Sequence, residues 1–114
     1  MAKEVLLMCA GGMSSSLMAK KVTAYLAERG QDILVTARGV GHGKAELEKS
    51  AAYDLYLLSP QVRMYFEALD QLAKKKQKEL VQVPGPAYVP VPKGIALMAD
   101  LILEGLGAKE MRES

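Results

Sequence analysis

The residues best suited to chemistry are a lone cysteine and the small residues that follow it. Cys9 comes directly after the apolar residues 5–8 (VLLM) and directly before residues 10–16 (AGGMSSS). This order predicts a strand, a glycine loop and a helix that starts near Ser14 to Ser16 with a serine as its N-cap. Unpaired amides and the positive end of the helix dipole favour a thiolate over a thiol and bind anions. We therefore expect a reactive Cys9 beside a phosphate site.

Other interpretations of this segment stay open. The two glycines could simply form a tight turn in which the thiol of Cys9 packs inward as a small hydrophobic group. The serines could be nucleophiles, but they lack a visible base, because His42 is the only histidine and lies in Gly41-His42-Gly43, which is typical of a mobile surface turn. Arg63 is a candidate for contacting a phosphorylated partner, although an exposed arginine is usually a solubilising one.

Short apolar runs alternate with longer segments of helical periodicity. Buried parallel strands, apolar on both faces, are predicted at residues 4–8, 33–37, 54–58 and 80–83. Helices are predicted at residues 15–29, 44–51 and 95–106. A further helix is predicted to begin with Ser59 as its cap and Pro60 at its first position, and to end at the lysine run 74–76. The inner faces of the first and third helices are expected to carry Met18, Val22, Tyr25 and Leu26, and Val62, Tyr65, Phe66, Leu69 and Leu72.

The alternation predicts an α/β fold in which a four-stranded parallel sheet of order 2-1-3-4 carries helices on both faces. In such sheets ligands bind beyond the carboxyl ends of the strands, where the winding reverses between the first and third strands. Cys9 falls at this point. We expect the pocket around it to be lined by residues from the loops after strands 3 and 4, namely Ser59, Pro60, Gln61 and Tyr88.

Composition excludes several classes of function. The 114 residues suffice for one domain, residues 1–114, and the net charge of +2 with a single dense basic run argues against nucleic acid. One cysteine and one histidine provide neither a disulfide nor a zinc cluster. Because no apolar run approaches the roughly 18 residues that cross a bilayer, and no signal-peptide pattern is present, we expect a cytoplasmic protein without membrane insertion.

One absence bears on the reaction. A cysteine phosphatase with a Cys-x5-Arg loop clamps the phosphoryl group with an arginine six residues after the sulfur, and that position here is Ser15. A loop that binds phosphate through backbone amides but has no guanidinium group is better suited to a phosphate carrier than to a hydrolase.

Residues 9–17 (CAGGMSSSL) resemble the phosphocysteine loop of enzyme IIB of the bacterial sugar phosphotransferase system, and the lactose/cellobiose (diacetylchitobiose) type is the best match. A second landmark is residues 59–62 (SPQV), similar to the Gly-Pro-Gln-Val/Ile turn that follows strand 3 in that family. The likeness covers residues 3–106 and implies a flavodoxin-like sheet with a phosphatase-like P-loop. The chain departs from the family at Ala10-Gly11, usually Ser-Ala, and at Ser59, usually glycine.

The resemblance implies a phosphotransferase. Cys9 would accept phosphate from a phosphohistidine of a IIA protein and donate it to a sugar, such as cellobiose, lactose or chitobiose, bound by the membrane permease IIC. No cofactor or metal is implied, and we expect a free domain that is monomeric and associates peripherally with the permease. The residues expected to bind the phosphoryl oxygens through backbone amides and hydroxyls are Ala10, Gly11, Gly12, Met13, Ser14, Ser15 and Ser16.

Two other classes of function are weighed against this one. A phosphatase-like cysteine enzyme would turn over an aryl phosphate despite Ser15, and a non-catalytic regulatory domain of the same fold would not be phosphorylated by any IIA protein.

Overall fold

The computed structural model describes residues 2–11 and 13–113, and it describes side chains for all of these except residues 13, 14 and 108–113. Four parallel strands form one sheet in the order β2-β1-β3-β4, as the sequence predicts. The strands are β1 (Lys3–Cys9), β2 (Ile33–Gly39), β3 (Leu55–Leu58) and β4 (Leu80–Gln82). The α-helices are α1 (Met13–Glu28), α2 (Val40–Lys49), α3 (Phe66–Lys75) and α4 (Pro92–Glu113), with 3₁₀ helices at Pro60–Tyr65 and Gly85–Tyr88.

Helices cover both faces of the sheet because the central strands β1 and β3 are apolar on both sides. One face packs on α1 and α4 around Val5, Leu7, Leu55 and Leu57. The other packs on α2 and α3 around Leu6, Met8, Tyr56 and Leu58. Because side chains alternate along each strand, the position of a residue in the strand fixes the face of the sheet on which its side chain lies. The end of β1 lies between the two layers of helices.

The edge strand β2 differs from the prediction of a strand buried on both faces. Its residues alternate in exposure, and Leu34 is 47% exposed whereas Ile33 and Val35 are buried. The face toward α1 is covered along this strand, whereas the opposite face is exposed at Leu34 and Arg38. Its position at the edge of the sheet, which periodicity does not reveal, accounts for the difference.

Helix α2 begins earlier than predicted, and the prediction that Gly41-His42-Gly43 forms a mobile surface turn is wrong. These residues lie in the first turns of α2, which follows β2 without a loop. Gly43 is buried, and a Cβ atom there would overlap the side chain of Met8 and lie 3.6 Å from Cδ2 of Leu6. The glycine is needed for close contact between α2 and β1, so packing overrides its low helix propensity.

The apolar faces of α1 and α3 follow the predicted pattern with one correction, and α4 (Pro92–Glu113) extends beyond the predicted residues 95–106 at both ends. Met18, Val22 and Leu26 are buried on α1 and Tyr25 is half-buried, as expected. Tyr65 is 50% exposed rather than on the inner face, because residues 60–65 form a 3₁₀ helix that changes the phase of the helical pattern before α3 starts. Among the described residues, no helix is both long and apolar enough to span a bilayer.

Removing the Tyr56 hydroxyl is expected to destabilise the fold. Tyr56 is fully buried, its hydroxyl donates to Oε1 of Glu46 at 2.7 Å, and it accepts from the amide of Tyr53 at 3.3 Å. We expect Tyr56→Phe to lower the free energy of unfolding by about 1–2 kcal/mol, since it leaves these partners unpaired. Denaturant unfolding at neutral pH measures this change, and an unchanged midpoint would refute it.

The stabilisation that the hydroxyl of Tyr56 provides should also depend on pH. Burial, and then the hydrogen bond to Glu46, raise the pKa of Tyr56 well above its ordinary value of 10.0. The neutral phenol is therefore favoured in the folded state, so its stabilisation is complete below pH 10 and is lost as the pH rises toward the folded-state pKa. The stability difference between the wild type and Tyr56→Phe should narrow above about pH 10.

Candidate functional site

Cys9 is the last residue of β1 and lies at the carboxyl edge of the sheet, where the winding reverses between β1 and β3. Its side chain is only 2% exposed, and its Sγ donates to the backbone carbonyl of Arg38 in β2 at 3.3 Å. A thiolate cannot donate, so this geometry belongs to the protonated thiol. In this state the sulfur is turned inward, as the alternative of a packed small hydrophobic group anticipated.

The predicted phosphate-binding residues come directly after Cys9 in the sequence. Ala10 and Gly11 are exposed, and Gly11 has a φ of +102°. Gly12 lies outside the described residues, as do the side chains of Met13 and Ser14. Helix α1 begins at Met13, before the predicted start, so Ser14, Ser15 and Ser16 stand inside its first turn rather than at its N-cap. The N-terminus of α1, where the helix dipole is positive, therefore follows Cys9 by only a few residues.

The serines of α1 have different surroundings. Ser16 is exposed, whereas Ser15 is 2% exposed and its hydroxyl is hydrogen-bonded to the hydroxyl of Tyr88. Tyr88 is half-buried and packs against the core between the sheet and α4. The bond joins the first turn of α1 to the 3₁₀ helix after β4, so two of the predicted site residues, far apart in sequence, come together.

The loop after β3 supplies the remaining predicted residues. Ser59 is fully buried, and its amide donates to the carbonyl of Met8 at 2.9 Å, which places it beside the end of β1. Pro60 is half-buried and Gln61 is exposed at the same edge. Ser59 occupies the N-cap position of the 3₁₀ helix, but its side chain makes no capping hydrogen bond, in contrast to the capping role that the sequence suggests.

Gln82 is not among the residues that the sequence predicts for the site. Its Nε2 donates to the carbonyls of Leu58 and Ser59, at 3.0 and 3.3 Å, and so fixes the end of β3. The carbonyl of Arg38, the partner of the thiol, was not identified either. Both contacts depend on strand register and on side-chain rotamers, for which the sequence carries no local signal. Arg63 and His42, the other two candidates from the sequence, are exposed.

Comparison with known proteins decides the family. Residues 4–100 match the family described as the phosphotransferase system lactose/cellobiose-specific IIB subunit. The chain belongs to this IIB family. The match includes Cys9, the loop after it, the turn at Ser59 and Tyr88, so these site residues all lie within the matched segment. As a member of this family, the domain is a phosphotransfer component of a sugar phosphotransferase system.

A curated relative of this IIB domain is the lactose-specific EIICB component of Lactococcus lactis subsp. lactis, which is 33% identical over 86 residues. The alignment covers 75% of the present chain but 15% of the relative, so the chain corresponds to a small part of that protein.

Two solved structures share the fold. The lactose-specific IIB domain of Streptococcus pneumoniae has a TM-score of 0.76 at 24% identity, covering 92% of this chain and 98% of that one. The cellobiose-specific IIB component of Borrelia burgdorferi has a TM-score of 0.72 at 19% identity, covering 95% of this chain and 94% of that one. At these identities the two structures support the fold assignment alone.

Proposed function

We infer that this IIB domain carries phosphate on Cys9, accepting it from a phosphohistidine of a IIA protein and donating it to a sugar bound by a IIC permease. The observation that carries the proposal is the position of Cys9. The chain's one cysteine ends β1 at the switch point of the sheet, directly before a glycine loop and the N-terminus of α1, within the segment that matches the IIB family.

The first step exchanges a nitrogen–phosphorus bond for a sulfur–phosphorus bond. Sγ of Cys9 attacks the phosphorus, the bond to the donor imidazole breaks, and the proton that the thiol releases ends on that imidazole nitrogen. The phosphoryl group would then lie beside the amides of residues 10–15 and the positive end of the α1 dipole, which stabilise its charge.

In the second step a sugar hydroxyl oxygen attacks the same phosphorus. The sulfur–phosphorus bond breaks, and the hydroxyl proton replaces the phosphoryl group on Sγ. The thiol can then donate again to the carbonyl of Arg38, as it does in the present structure. The bond to Arg38 thus marks the unphosphorylated end of the cycle, and the sulfur must leave this carbonyl before phosphate can be accepted.

The relatives suggest the class of sugar and partners. The curated relative is named lactose-specific and unites IIC and IIB, and the structural neighbours are named lactose- and cellobiose-specific. We propose a β-linked disaccharide such as lactose, cellobiose or chitobiose as the final acceptor, a IIA protein as donor and a IIC permease as the membrane partner. The domain would then act at the cytoplasmic face of the membrane as a peripheral component.

Intact-mass spectrometry tests the proposal. After incubation with a phosphorylated lactose/cellobiose-type IIA protein, the wild type should gain one phosphate and Cys9→Ala should gain none. A wild-type protein that gains no phosphate from any of a set of such donors would instead be the non-catalytic domain considered above. An adduct that persists in Cys9→Ala would place the phosphate on another residue.

A further inference from the structure

We propose that the hydroxyl of Ser59 is a hydrogen-bond donor to the phosphorylated Cys9, which makes Ser59 a further catalytic residue of the IIB domain. This rests on the proposed function and adds a side-chain donor to a site otherwise built from backbone amides. Family members usually have glycine at this position, by the resemblance noted above, so the donor would be a property of this chain.

The hydroxyl of Ser59 is buried without a partner. The residue is fully buried, and its Oγ has no hydrogen-bond partner among the residues that the structure describes. It also makes none of the capping bonds that a serine before a helix usually makes. Most buried hydroxyls are paired, so an unpaired one lowers stability and calls for an explanation. A ligand atom that arrives only during the reaction cycle provides one.

The backbone of Ser59, in contrast, is firmly held. Its amide donates to the carbonyl of Met8 at 2.9 Å, and its carbonyl accepts from the amide of Val62 at 3.2 Å and from Nε2 of Gln82 at 3.3 Å. These bonds come from three different parts of the chain. The Cα atom is therefore fixed, while rotation about the side-chain bond leaves the hydroxyl free to change direction.

The strand register places Ser59 next to Cys9. Met8 pairs with Leu58, so the following residues, Cys9 and Ser59, are neighbours across β1 and the extended end of β3. Side chains alternate between the faces, and both residues continue the face occupied by Leu7 and Leu57. Neighbouring strands lie about 4.8 Å apart, so a hydroxyl on one strand can reach the sulfur, or a phosphoryl oxygen bound to it, on the next strand.

The charge on the sulfur decides when this contact forms. The thiol donates to the carbonyl of Arg38 on the β2 side of Cys9. A thiolate or phosphocysteine has no proton to donate, and its negative charge is repelled by that carbonyl oxygen. On the β3 side, the hydroxyl of Ser59 can donate, and a hydrogen bond to a charged acceptor is stronger than one between neutral groups. The bond is therefore specific to the reacting states.

The test measures, by intact mass, how the phosphoryl group distributes at equilibrium between a IIA protein and the IIB domain. We expect Ser59→Ala to shift this equilibrium about tenfold toward the IIA protein, as expected for the loss of one hydrogen bond to a charged group. The melting temperature of unphosphorylated Ser59→Ala should equal or exceed that of the wild type, because an unpaired buried hydroxyl has been removed. Ser50→Ala, which changes an exposed serine at the end of α2, is the matched control and should alter neither value.

The outcomes separate this proposal from the proposed function. If the wild type accepts phosphate and Ser59→Ala has the same equilibrium, the role of Ser59 is refuted and the role of Cys9 stands. If the wild type accepts no phosphate, both are refuted. A lower melting temperature for Ser59→Ala with an unchanged equilibrium would show a structural serine and also overturn the proposal. Ser59→Gly provides a second variant without the hydroxyl, and the same comparison applies to it should Ser59→Ala not fold.

Discussion

Replacing Cys9 by serine is expected to abolish sugar phosphorylation by the assembled IIA, IIB and IIC components. A serine hydroxyl is a far weaker nucleophile than a thiolate, and none of the described residues near Cys9 is identified as a base to activate it. Loss of a nucleophile typically lowers turnover by several orders of magnitude, so we expect at least a roughly 10³-fold reduction. The measurement is the rate at which sugar phosphate forms in vesicles that contain the permease.

The same variant should keep its fold. The serine hydroxyl can donate to the carbonyl of Arg38 as the thiol does, and the site is small and buried. We expect the free energy of unfolding to change by less than about 1 kcal/mol. Sugar phosphorylation by Cys9→Ser at a rate close to the wild type would contradict the central role of the sulfur.

Adding a methyl group at Gly94 is expected to damage both stability and phosphate transfer. Gly94 is buried in the first turn of α4, and a Cβ atom there would overlap the carbonyl oxygen of Val89 and lie 3.1 Å from that of Pro86. Both obstacles are backbone atoms, so no side-chain rotation relieves them. We expect Gly94→Ala to lower the free energy of unfolding by about 1–3 kcal/mol. Urea denaturation measures this change.

The effect on transfer follows from the loop that Gly94 contacts. The segment between Pro86 and Val89 carries Tyr88, whose hydroxyl bonds to Ser15 in the first turn of α1. Displacing this segment should break that bond and slow phosphate acceptance. Gly85→Ala is the matched control, because Gly85 lies in the same loop and a Cβ atom there has nothing within 4 Å. Equal stabilities of the two variants would refute this account of Gly94.

The fold could largely be predicted because the buried strands leave a strong local signal. The runs that became β1 and β3 are apolar at every central position, and the long crossovers between strands require a parallel sheet. The prediction failed where glycine serves packing rather than a turn. Gly43 permits contact between α2 and Met8, and this is visible only when both elements are in place.

The candidate site was predictable at the level of its loops but not of its contacts. Cys9, Ser59 and Tyr88 could be assigned to one edge of the sheet, since parallel strands bring their carboxyl ends together. The bond between Ser15 and Tyr88, the donation from Cys9 to Arg38 and the unpaired hydroxyl of Ser59 depend on distances that strand order alone does not give. They required the register and the side-chain rotamers.

Phosphorus NMR of the IIB domain after phosphorylation by a IIA protein tests the central claim most directly. If Cys9 carries the phosphate, we expect a single signal with the chemical shift of a phosphate bonded to sulfur, and we expect this signal to be absent from Cys9→Ser. A signal typical of a phosphate ester, from a serine of α1 or a tyrosine, would contradict the claim that Cys9 carries the phosphate. So would the absence of any signal from protein-bound phosphate after treatment with active donor.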